Sequence, residues 1–67
     1  MNKATEQVLR YFEFDHLPDG PRRDTSRQFY GLAHEMAESL PEIPATTQCL
    51  NDLLRAKDWA VRATLDL

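Results

Sequence analysis

The sequence predicts an all-α fold: a short N-terminal helix plus an antiparallel two-helix hairpin, assembled into a helical-bundle homo-oligomer. Three observations predict it. Thr46 to Leu65 contains neither Gly nor Pro and has helical periodicity. A second helical pattern lies between Pro21 and Pro41. The stiff Leu40-Pro41-Glu42-Ile43-Pro44-Ala45 turn joins the two, and so short a connection makes them antiparallel neighbours. The chain then reads as one domain over residues 1–67, with an anchor helix in 1–13, helix two over 21–40 and helix three over 45–66.

Residues 2–12 form the anchor. Asn2 suits an N-cap, because its side-chain oxygen can accept an otherwise unpaired backbone N–H. Ala4, Val8, Tyr11 and Phe12 recur at helical spacing. A helix this short is marginal in isolation, so it must dock on something larger.

Tyr11 to Pro21 concentrates Tyr11, Phe12 and Phe14, then closes with two prolines and a glycine, which marks a loop. Two readings stand for its rings. They fill gaps between the anchor and the hairpin, or one stays accessible as a stacking surface for a planar base.

Helix two starts at Pro21, a residue suited to the first helical position, with Asp19 or Gly20 as cap. Phe29, Leu32, Ala33, Met36, Ala37 and Leu40 make its apolar face, and Pro41 ends it by forcing the preceding residue out of the α region. Its first turns carry Arg22, Arg23 and Arg27, the wrong sign for a helix N-terminus, where the dipole favours anions. Asp24 offsets part of this by pairing with Arg27 at i,i+3. The arginines are otherwise solvated, or they hold an anion with free backbone N–H groups. His34 and Glu38, at i,i+4, read as a surface ion pair rather than metal ligands.

Helix three has the widest apolar surface. At about 100° per residue, Ala63, Ala56, Cys49, Ala60, Leu53, Leu50, Val61, Leu54 and Leu65 fall in an arc of roughly 200°. One packing neighbour needs a stripe about half that wide. Lys57 falls inside the arc; it snorkels, with its stem buried, or faces an anion at a subunit junction. Arg55, Trp59 and Arg62 share an exposed stripe, with an indole between two guanidiniums. That arrangement suits a stacking and phosphate-binding platform, while Arg62 can also pair with Asp58.

Sixty-seven residues bury a small share of their surface when folding alone, and such chains lean on disulfides, metals or oligomerisation. Cys49 is the only cysteine, which excludes an internal disulfide, and its place on the arc reads as a small buried hydrophobe in a reducing cytosol. His16 and His34 match no metal spacing. Self-association is left.

Eleven acidic against eight basic residues give a net charge of −3, which disfavours a DNA or RNA polymer but not a compact anion held by local arginines. No signal peptide and no membrane span is legible, so a cytoplasmic protein without a membrane partner is expected. Ser26, His34 and the scattered acids form no catalytic constellation, and Gly20 and Gly31 alone make no phosphate loop. The expectation is a binding protein, not an enzyme, without a cofactor, whose ligand site lies between subunits.

The order and spacing of these residues, from about Phe12 to Asp66, resemble the small phage anti-CBASS sponge proteins, which sequester cyclic oligonucleotide signals. The resemblance rests on Phe14-Asp15-His16-Leu17-Pro18, on Arg27 near the start of helix two, and on Leu32-Ala33, the Leu40-Pro41 turn and the final helix from Leu50 to Ala63. It implies a hexamer of helical hairpins in a host-cell cytoplasm, with cyclic dinucleotides bound between paired subunits. Phe14, or Tyr11 or Phe12 in its place, would stack on the base, and Arg27 would meet the phosphate. His16, Arg23, Lys57 and Trp59 complete the candidate set. A separate cyclic-trinucleotide site would use Arg62. Where the family has a small hydroxyl residue after its basic one, Gln28 and Phe29 follow Arg27. A small helical protein-interaction module, or a structural virion component, fits the same pattern without a nucleotide.

Overall fold

The computed structural model describes Asn2–Asp66. Met1, in the expected anchor segment, and Leu67, the last residue of the expected 1–67 domain, lie outside the described residues. Three helices and a terminal turn follow in order: α1 (Lys3–Arg10), α2 (Pro21–Ser39), α3 (Pro44–Ala63) and a 3₁₀ turn over Thr64–Asp66. No strand occurs among the described residues, so the chain is all-α. No described helix is long and apolar enough to cross a membrane.

Local chemistry sets each boundary. Asn2 Oδ1 accepts the Thr5 N–H at 2.8 Å and so caps α1. Gly20 precedes Pro21 with φ 147° and ψ −178°, a backbone region essentially reserved for glycine. Leu40 turns extended before Pro41 and ends α2. Helix α3 starts at Pro44, earlier than expected, because proline's fixed φ and missing N–H suit the first helical position. It also ends sooner: after Ala63 the chain tightens into the 3₁₀ turn, and the Thr64 hydroxyl donates to the Val61 carbonyl at 2.6 Å.

The hairpin turn is closed by its own polar groups. The buried Thr46 hydroxyl donates to the Pro41 carbonyl at 2.6 Å, and the Thr46 and Thr47 N–H groups both reach the Ile43 carbonyl. Helix α1 lies along the hairpin, parallel to α3. Its start adjoins Ile43, Pro44 and Thr47, and its end adjoins Lys57 and Val61.

The core is small. Val8 and Leu9 of α1 and the following Phe12 pack against Ala33 and Ala37 of α2 and Leu50 of α3. Phe12 and Leu50 are fully buried, and burying side chains of that size contributes roughly 1.5–3 kcal/mol each. The anchor therefore docks as expected, on its own subunit's hairpin.

That docking uses one side of the hairpin only. On the α1 side lie Tyr30 and His34 of α2 with Thr47 and Leu54 of α3. The helical period places Phe29, Leu32 and Met36 on the opposite side of α2, and Cys49, Leu53 and Ala56 on that of α3. Leu32, Cys49, Ala56 and Ala63 are exposed there. The wide arc of α3 is thus half covered within one subunit. Cys49 is not the buried hydrophobe its arc position suggested; it is exposed, on the side of α3 away from α1.

Candidate functional site

Where α1 and α3 end and α2 begins, the three helices and the 11–20 loop leave an open cleft of about 510 Å³. Ligand pockets commonly enclose about 300–1,000 Å³, so the cleft has room for a nucleotide-sized molecule. A tight turn completes the first helix and supplies one wall: the N–H groups of Tyr11, Phe12 and Glu13 donate to the carbonyls of Val8, Leu9 and Arg10 at 3.0–3.3 Å. Arg22 and the buried Ser26 project from the first turns of α2. Asp58, Val61 and Arg62 come from the end of α3, and Leu17 and His16 from the loop.

Lys57 joins the parts. Its stem is largely covered, with the side chain 15% exposed, and Nζ donates to the Tyr11 carbonyl at 2.7 Å while lying 5.9 Å from the centre of the Phe12 ring. This is the snorkelling arrangement, with the ammonium capping the last carbonyls of α1. The same ammonium reaches the cleft, with Asp58 Oδ1 at 4.0 Å.

The cations divide into committed and uncommitted ones. Arg23 donates to the Leu17 carbonyl and to Asp19 at 3.4 Å, approaches Asp15 at 4.0 Å, and covers the Phe14 ring at 5.4 Å. Arg27 pairs with Asp24 at 3.4 Å, as its spacing foretold, and stands outside the cleft. Arg55 pairs with Asp52 at 2.6 Å. Arg10 and Arg22, by contrast, make no ion pair or side-chain hydrogen bond among the described residues, and both line the cleft. Arg10 stands in the last turn of α1, where the helix dipole favours a cation. Arg22 opens α2, where the dipole opposes it.

The aromatics sort as clearly. Tyr11 is 66% exposed and borders the cleft. Phe12 is fully buried, which removes it as a stacking surface and makes it the gap-filler between anchor and hairpin. Phe14 is half-buried, edge-on to Tyr30 with centroids 5.3 Å apart and under Arg23 on the other side. Trp59 is exposed, with Arg62 over its ring at 5.0 Å. The two-sided guanidinium sandwich does not form, because Arg55 turns to Asp52 instead; nor does Arg62 pair with Asp58. His34 stacks on Tyr30 at 4.1 Å between centroids instead of pairing with Glu38.

Of the candidates read from sequence, the cleft therefore collects Tyr11, His16, Lys57 and Arg62, with Trp59 at its margin through Arg62. Phe14 and Arg23 pack against each other next to it, and Arg27 stands apart. Arg10, Glu13 and Ser26 were not foreseen as site residues, and Arg22 was seen only as one of three helix-opening arginines. The legible signal for Arg10 was its position one residue before the exposed tyrosine, at the end of an amphipathic helix. No group of three His, Cys, Asp or Glu side chains among the described residues is placed to hold a metal ion.

Comparison with known proteins adds no identity: the chain matches no known family profile, no curated protein and no solved structure.

Proposed function

We propose that this protein sequesters cyclic di- or oligonucleotide second messengers without converting them, and so blocks CBASS-type antiphage signalling in a host cell. The observation that carries the reading is the pair of unpartnered guanidiniums, Arg10 and Arg22, lining one cleft with the exposed ring of Tyr11. Guanidinium forks match phosphate oxygens, and an exposed ring gives a base a face to stack on. The amphipathic hairpin supports self-association, since Leu32, Cys49 and Ala56 are exposed on the side away from α1, beside Phe29 and Met36, which are only partly buried against the core. A closed hexamer of such subunits is the assembly that the sequence resemblance implies. Arg22, with Arg10 and Arg62, is the better phosphate ligand than Arg27, whose charge Asp24 already meets.

Calorimetry with cyclic di- and trinucleotides tests this, followed by recovery of the ligand from denatured protein. Binding with intact recovery is expected, together with a ligand-dependent rise in melting temperature. Recovery of linear nucleotide, or indifference to every cyclic nucleotide tried, sinks the proposal. A second reading rests on the same uncovered side of the hairpin: an adaptor whose apolar face receives a helix of another protein. Light scattering separates the two, a monomer favouring the adaptor and a closed oligomer the sponge.

A further inference from the structure

The cleft is not uniformly cationic. Glu13 and Asp58 line it alongside the arginines. Asp58 has the Lys57 ammonium 4.0 Å away. Glu13 makes no side-chain hydrogen bond or ion pair among the described residues, although it stands on the turn that presents Tyr11. In a receptor for a plain anion such a carboxylate only weakens the field that the arginines create. It becomes useful when the ligand carries N–H donors as well as phosphates.

We infer that the cleft selects guanine, with Glu13 accepting the two N–H donors of the base's Watson–Crick edge while Arg10 and Arg22 hold phosphate. This rests on the cyclic-nucleotide reading above and deepens it. An ionised carboxylate is an acceptor-only group with two oxygens side by side. Guanine alone among the common bases offers two adjacent donors, N1–H and the N2 amino group, to meet them. Adenine sets its N6 donor beside the N1 lone pair, cytosine sets N4 beside the N3 lone pair, and uracil flanks a single N–H with carbonyls. Each of those edges aims at least one lone pair at the carboxylate. A good bidentate contact of this kind discriminates against the wrong base by about 10- to 100-fold.

Calorimetry of the full chain with cyclic di-GMP and cyclic di-AMP tests the inference, in wild type, Glu13→Gln and Glu38→Gln. Wild type should bind cyclic di-GMP about 10- to 100-fold more tightly. Glu13→Gln offers one acceptor and one donor, which matches adenine's edge, so the preference should vanish or reverse with the melting temperature unchanged. Glu38→Gln, at an exposed carboxylate outside the cleft, should keep it. Equal affinities in wild type overturn the guanine assignment and leave the sponge reading standing, as does a preference that survives Glu13→Gln. No binding of either nucleotide overturns the guanine assignment, and the sponge reading falls with it only when cyclic trinucleotides are not bound either.

Discussion

The two ends of the hairpin are built on opposite terms. At the Pro41–Pro44 end, the backbone and one threonine satisfy each other: Thr46 reaches the Pro41 carbonyl, the Ile43 carbonyl takes two N–H groups, and prolines fix the path. At the other end three helix termini meet, and two guanidiniums and a carboxylate stay without partners among the described residues around an open recess. The first end is organised for folding throughout, whereas the second mixes Lys57, which ties α3 to the Tyr11 carbonyl, with groups that tie nothing. Arg10, Arg22 and Glu13 take no part in holding the helices together among the described residues, so they are free to serve a ligand.

Substitutions test that division. Phe12→Ala should have the largest effect, destabilising the chain by about 3–5 kcal/mol in chemical denaturation, since it empties the fully buried contact beneath the anchor. At roughly 0.1 kcal/mol per residue, that is comparable with the whole stability of so short a chain. A change below about 1 kcal/mol would mean that the anchor is not docked as described. Gly20→Ala should cost about 1–3 kcal/mol even though a Cβ there meets nothing within 4 Å, because the penalty lies in the positive φ. An unchanged melting temperature would show that the junction before α2 relaxes freely. Thr46→Val should cost about 1 kcal/mol by breaking the hydrogen bond that locks the turn.

Arg22→Ala completes the contrast. Its stability should stay within about 0.5 kcal/mol of wild type, while cyclic-nucleotide affinity falls. Arg27→Ala, which removes a cation already paired with Asp24, should change affinity less. If Arg27→Ala proved the more damaging of the two, the phosphate site would lie outside the cleft.

The helices were legible because proline, asparagine and glycine act locally. Pro21, Pro41 and the Asn2 cap set boundaries through their own backbone chemistry, and the apolar periods of α2 and α3 could be read without a partner. Pro44 was misjudged as turn because a proline both breaks a preceding helix and starts a following one. The site was less legible. Arg22 and Arg23 are adjacent in the chain, yet one is free and the other is enclosed by Asp15, Asp19 and the Leu17 carbonyl. That difference comes from how the 11–20 loop folds back on α2, which no helical period encodes. Cys49 carries the same lesson: an arc on a wheel shows which residues could be covered, while the number and placement of neighbouring helices decide which are.

The bond from Lys57 to the Tyr11 carbonyl spans 46 positions of the chain. With Leu50 forming the far wall of the Phe12 site, it ties the first helix to the last. A growing polypeptide therefore cannot seat α1 until α3 has left the ribosome. Until then Tyr11, Phe12 and Phe14 wait unsheltered, since small domains fold as whole units. A premature stop before codon 50 should accordingly yield not a shortened bundle but an unfolded fragment, fit for degradation.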